Sequence, residues 1–133
     1  MKLTLPLAPQ SKQRVRVTRA GRSYTPSATR RFEASVRALT SHLEQMQGPL
    51  ALSVVFVCSR PKSMAKRKPG RQPKLTRPDL DKFTKALLDG LQGGCFVDDA
   101  QLVQVSALKV YAALGESPCI EINLEPYTEE KTA

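Results

Sequence analysis

The spacing of apolar and polar residues divides this chain into short extended segments and two helices. Residues 2–8 place Leu3, Leu5 and Leu7 at alternate positions, the period of a half-buried strand, while Pro6 and Pro9 confine it to an edge or a short run. Residues 13–18 alternate again, with Val15 and Val17 on one side and Arg14 and Arg16 on the other, and Ala20-Gly21-Arg22 offers a turn. Thr25-Pro26-Ser27 reads as a helix start, a hydroxyl before an early proline. From there to about Met46 the apolar residues Phe32, Val36, Leu39 and Leu43 recur at helical spacing, and Gly48-Pro49 closes the helix. Residues 50–58, rich in Val and Leu, predict a strand at the centre of a sheet. A second helix is predicted over 78–91, with Leu80, Phe83, Leu87 and Leu91 as its buried stripe and Gly93-Gly94 as its stop. Residues 95–97 suggest a brief strand, and residues 101–107 fit either strand or helix. Residues 108–113 and 119–124 predict two strands of a hairpin across Gly115-Glu116-Ser117-Pro118.

A chain of 133 residues fits one domain, over residues 1–126, followed by a polar tail over 127–133. The longest apolar stretch, residues 50–58, falls well short of the roughly 20 residues that cross a bilayer, so no membrane partner is expected. The first residues lack the apolar core of a signal peptide, which predicts a cytoplasmic location. Cys58, Cys95 and Cys119 are widely spaced and His42 is the only histidine, which argues against zinc and against His-activated nucleophiles.

Charge changes the picture further. Residues 1–78 hold 17 Lys and Arg against Glu33 and Glu44, a net +15, whereas residues 79–133 hold 4 Lys against 10 acids, a net −6. A basic surface of this size is the footprint of a polyanion binder, because each phosphate it neutralises releases condensed counterions. The densest part is 59–77, a loop punctuated by Pro61, Pro69, Gly70 and Pro73 and expected to be flexible. Lys62, Lys66, Arg67, Lys68, Arg71, Lys74 and Arg77 within it, with Arg14 and Arg16 before it, are the candidate nucleic-acid contacts.

Against this basic background all five aspartates fall within 21 residues: Asp79, Asp81, Asp89, Asp98 and Asp99. Mg²⁺ takes hard oxygen ligands, often one or two carboxylates completed by water and phosphate oxygens. Residues two apart on a helix diverge by roughly 200°, so Asp79 and Asp81 can serve one metal only if Asp79 is extended, just ahead of the helix. The competing explanation of this pair is an ordinary helix cap. Asp98-Asp99, directly after an apolar run, has no comparable structural excuse, and one of its two carboxylates is expected to face the metal. Asp81, Lys85 and Asp89 share one helix face, as a surface salt-bridge ladder or as catalytic acids with a lysine directed at phosphate.

The string Arg77-Pro78-Asp79-Leu80-Asp81-Lys82-Phe83-Thr84-Lys85-Ala86-Leu87-Leu88-Asp89-Gly90-Leu91, with Asp98-Asp99-Ala100-Gln101 after it, resembles the RusA family of Holliday junction resolvases. The resemblance implies a small α+β homodimer, a small mixed sheet packed with two main helices in a single domain, that acts in DNA recombination and repair and is of a kind common in phages and prophages. It implies paired symmetric nicks in branched, four-way DNA, made with Mg²⁺, for which Mn²⁺ can substitute. By the same likeness Asp79, Asp81 and Asp99 are metal-binding catalytic acids, Asp98 supports them at the metal, and Lys85 is the catalytic lysine. Lys82 departs from the pattern, standing where the family most often has asparagine. A nuclease for flaps or other branched DNA, and a non-catalytic DNA-binding protein, are the rival expectations.

Overall fold

The computed structural model describes residues 1–13, 15–24 and 26–129. Arg14, the hydroxyl of the helix start at Thr25 and the last four residues of the predicted tail lie outside the described residues. In chain order the elements are β1 (Lys2–Leu5), β2 (Arg16–Val17), β3 (Ser23–Tyr24), α1 (Ser27–Thr40), β4 (Leu50–Cys58), β5 (Gln72–Pro73), α2 (Leu80–Leu91), β6 (Leu102–Tyr111) and β7 (Cys119–Pro126). A single 3-10 turn, Asp99–Gln101, leads into β6. The mixed sheet and two helices agree with the α+β reading.

Five strands form the main sheet in the order β1-β7-β4-β6-β5, and β2 and β3 make a separate ribbon. The Val- and Leu-rich β4 is central, as its composition predicts, and β1 lies at an edge, where Pro6 ends it without breaking a ladder. One open reading is resolved here and one expectation fails. Residues 102–111 form one continuous strand, so the ambiguous segment and the first half of the presumed hairpin are a single element. β6 and β7 are not hairpin partners, because β4 lies between them, parallel to β6 and antiparallel to β7. Gly115 does turn the chain, with φ of 77°, but the connection passes the end of β4 instead of closing a two-strand ladder. Local alternation reveals a strand and its faces; it carries no information about which third strand takes the place between two others.

Two smaller differences follow from packing. α1 ends at Thr40, not near Met46, yet Leu43 and Met46 still pack against the core from the irregular segment after it. Residues 95–97 form no strand; a lone bridge joins Gln92 and Phe96, and Cys95 and Phe96 are buried.

Both helices lie on one face of the sheet. Leu50, Leu52, Val54 and Phe56 of β4, with Ile120, Ile122 and Leu124 of β7, meet Phe32 and Val36 of α1 and Phe83, Leu87 and Leu91 of α2. Phe56 and Phe83 stack with ring centroids 5.4 Å apart, fixing α2 against the middle of β4. α1 and α2 approach so closely that a Cβ on Gly90 would stand 2.8 Å from Val36 Cβ. Among the described residues, the other face of the sheet has a small buried cluster, Val57, Val110 and Ala112. β7 ends at Pro126, but the Tyr127 N–H still donates to the Pro49 carbonyl at 3.0 Å, so the start of the tail is tied down. No helix among the described residues is long and apolar enough to cross a membrane.

Candidate active site

α2 organises the acids. Asp79 occupies its N-cap position with extended backbone (φ −68°, ψ 152°) and makes no side-chain cap. This is the conformation that two carboxylates two residues apart require to serve one metal, and the ordinary capping role is not taken up. Lys109 of β6 fixes the approach to this position, its ammonium donating to the carbonyls of Thr76 and Pro78 at 2.9 and 3.0 Å. Asp79 shares a shallow cleft with Lys12, Arg16, Arg77 and Lys82. Asp81 sits one residue into the helix and lines an open groove between α2 and β6 with Leu80, Thr84, Lys85 and Val105.

The second acidic pair is held by two glutamines. Gln101 accepts from the backbone N–H groups of Val97 and Asp98 and donates to the carbonyls of Met46 and Gly48, locking the turn to the segment after α1. Gln92, just past α2, accepts the Asp99 N–H at 3.1 Å. Asp98 and Asp99 divide their tasks. Asp98 caps the 3-10 turn by accepting the Ala100 N–H at 3.0 Å, whereas the Asp99 carboxylate faces α2, 3.8 Å from Lys85 Nζ. One acid of the pair thus faces Lys85 of α2, and Asp98 has a structural task of its own.

Lys85 links this turn to α2, with its ammonium also 3.2 Å from Asp89 Oδ1. Asp89 in turn receives Lys12 at 2.9 Å, and Lys12 reaches Glu33 of α1 at 2.6 Å. Burial opposes charge on Lys12, but hydrogen bonds and charge from Glu33 and Asp89 outweigh it and raise its pKa above the ordinary lysine value. Burial also pushes Asp89 upward, yet Lys12 and Lys85 together hold its carboxyl below the ordinary range. The i, i+4 spacing of Lys85 and Asp89 signalled their pairing in advance. Lys12 and Glu33 gave no such signal, since they lie 21 residues apart and meet only through packing of the first segment across both helices.

Among the described residues, no three of the His, Cys, Asp and Glu side chains converge closely enough to enclose a metal ion. The donors nevertheless fit Mg²⁺ by chemistry. Asp79 and Asp81 are exposed, and Mg²⁺ keeps several waters and asks for only one or two carboxylates alongside phosphate oxygens.

The basic loop makes hydrogen bonds of its own. Arg60 donates to the carbonyls of Ala65, Lys68, Gly70 and Ala112, so the loop is folded around one guanidinium. Arg71, a candidate DNA contact, pairs with Glu116 at 2.6 Å and Glu121 at 2.8 Å. Hydrogen bonding to Arg71 lowers Glu116 to about 2. Lys74 donates to Thr76 Oγ1 and lies 4.8 Å from the centre of the Tyr111 ring. Lys62, Lys66, Arg67 and Lys68 are exposed, as are Arg16 on β2 and Arg77 beside Asp79.

A short α+β protein with exposed acids at one helix start, a further acid paired with Lys85 at one turn and a basic loop has the chemistry of an enzyme of nucleic-acid phosphodiesters. A family model, endodeoxyribonuclease RusA, matches residues 6–125, and the chain belongs to that family. It is therefore an endodeoxyribonuclease, of the family that resolves Holliday junctions during recombination. No curated protein matches the chain.

Proposed function

We propose that this endonuclease cuts four-way DNA junctions by Mg²⁺-dependent hydrolysis, with Asp79, Asp81 and Asp99 as the metal-binding acids and Lys85 as the catalytic lysine. The observation that carries this reading is the placement of Lys85 on the α2 face of Asp81 while it pairs with Asp99 from the separate turn. These acids would hold Mg²⁺, or Mn²⁺ in its stead, which would supply Lewis-acid activation of phosphodiester hydrolysis. Lys85 stabilises charge on the phosphate or the departing oxygen, and the glutamine-held turn keeps Asp99 directed at α2. Asp98, with one oxygen on the Ala100 N–H, steadies that turn and would support the other acids at the metal. Arg16 and Arg77 flank Asp79, and Lys62, Lys66, Arg67 and Lys68 extend the track for phosphates. Arg71 and Lys74 support the loop that carries them.

A homodimer suits this task, since a two-fold protein matches a two-fold junction and delivers paired, symmetric nicks. The outer edge of β6 supports this arrangement. β5 pairs only with Val110 and Tyr111, which leaves 102–108 open among the described residues. That edge displays Val103, Val105 and Leu108 and carries no charged residue, whereas open edges are normally protected by charge or proline.

Cleavage of a mobile four-way junction, beside matched linear duplex and flap substrates with Mg²⁺ or EDTA, tests the proposal. Nicks confined to the junction and abolished by EDTA are expected. Equal cutting of flaps would overturn the junction selectivity, and tight binding without cutting on any substrate would overturn the metal centre.

A further inference from the structure

Lys12 belongs to none of the sequence patterns around the acids, yet both its backbone and its ammonium join the elements that carry them. Its backbone N–H donates to the Lys82 carbonyl of α2 at 2.9 Å, and the next N–H, on Gln13, donates to Thr29 of α1. Its ammonium then spans the two helices, 2.6 Å from Glu33 Oε1 and 2.9 Å from Asp89 Oδ2. The three side chains are largely covered, at 26%, 17% and 23% exposure, whereas Lys85 is 55% exposed. Asp89 is thereby divided: Oδ2 goes to Lys12 and Oδ1 to Lys85.

The geometry points to Lys12 as a positioning residue for Lys85, holding Asp89 so that Lys85 stays shared with Asp99 and free to reach phosphate. This rests on the reading of Lys85 as the catalytic lysine. Without Lys12, Asp89 and Glu33 lose their common cation, and among the described residues Lys85 is the remaining ion-pair partner of the Asp89 carboxylate, since Arg37 nearby donates to the Asp89 backbone carbonyl. The lysine is then drawn onto Asp89 by the whole carboxylate, away from Asp99 and from an incoming phosphate. Charge repulsion between Glu33 and Asp89 also moves the carboxylate itself. A lysine acting only as one more phosphate contact would behave differently, since its loss weakens junction binding and reduces the salt dependence by about one counterion.

The test is a double-mutant cycle of Lys12→Met and Lys85→Met, read in single-turnover junction cleavage, with junction affinity measured separately in EDTA across a salt series. Lys12→Met is expected to slow cleavage on the order of ten-fold, as losses of residues that orient a reacting group do. Affinity and salt slope should stay unchanged, Lys12→Arg should restore most of the rate, and Lys12→Met should add no further loss in the Lys85→Met background. In metal-free protein, the Lys85 ammonium resonance should shift on Lys12→Met and return toward its original position in Lys12→Arg. A full additional loss in the Lys85→Met background, or an unmoved Lys85 resonance, would overturn the inference, as would a weakened affinity with a shallower salt slope. If Lys85→Met itself cleaves at the normal rate, the underlying reading of Lys85 fails instead, and the cycle separates the two failures.

Discussion

Replacing Gly90 with alanine probes the contact on which the placement of α2 depends. An added Cβ would lie 2.8 Å from Val36 Cβ, 2.9 Å from Cγ1 and 3.3 Å from Cγ2. The first two distances are shorter than real carbon contacts, so something must move. Val36 is fully buried, and its branched side chain has essentially one rotamer in a helix, so it cannot swing aside. Alanine also favours the helix by about 1 kcal/mol over glycine. Overpacking of a fixed core site costs about 1–3 kcal/mol, which outweighs that gain. The net expectation is a loss of roughly 1 kcal/mol, or about 3–5 °C in Tm for a domain of this length. Chemical denaturation of Gly90→Ala, Val36→Ala and the double variant measures it. Val36→Ala removes both Cγ contacts and leaves the Cβ contact, so the double variant should be less damaged than the sum by about 0.5–1 kcal/mol. A stabilised Gly90→Ala with additive behaviour would refute the reasoning, because the helices would then have room that the distances deny.

Three further outcomes follow from the site and the loop. Asp81→Asn should abolish measurable junction cleavage while keeping or tightening binding in EDTA, since it removes negative charge from a surface that approaches phosphate; full activity would remove Asp81 from the metal centre. Replacing Lys66, Arg67 and Lys68 together with alanine should weaken binding and lower the salt slope by up to about 0.9 for each duplex phosphate left unneutralised, and an unchanged slope would show that this part of the loop does not touch DNA. Arg71→Gln should destabilise the protein above pH 5 and much less near pH 2, as read by urea unfolding at several pH values. The sign follows from Glu116, whose pKa falls from 4.5 to about 2 in the folded protein, so its stabilisation is complete above 4.5 and lost as pH drops through about 2. A destabilisation that persisted undiminished near pH 2 would place the role of Arg71 elsewhere.

How far the sequence could be read depended on the range of the interaction involved. The apolar stripe of Phe83, Leu87 and Leu91 encodes the buried face of α2, and those residues are buried against β4 and β7. The extended Asp79 was a geometric requirement of the acid pair, met in the structure by an N-cap without a capping bond. The β6–β7 hairpin failed because both strands alternate equally well beside β4, and which strand lies between them depends on the whole sheet. Lys12 and Glu33 were invisible for a related reason, since their contact joins a coil segment to a helix 21 residues on. Arg71 looked like any other cation in a basic loop until its partners, Glu116 and Glu121 at the far end of the chain, were placed beside it. Composition reports the charge of such a loop but not which of its arginines pair with acids of the same chain.

The most direct measurement is resolution of a supercoiled plasmid bearing an extruded cruciform, with Mg²⁺ and with EDTA, and with Asp81→Asn protein in parallel. Paired nicks across the junction within one binding event convert the circle to a linear product. Such a product with Mg²⁺ alone, absent with EDTA and with the variant, is the predicted result. Nicked circles without linear product, or cutting that survives EDTA or loss of Asp81, would contradict the account.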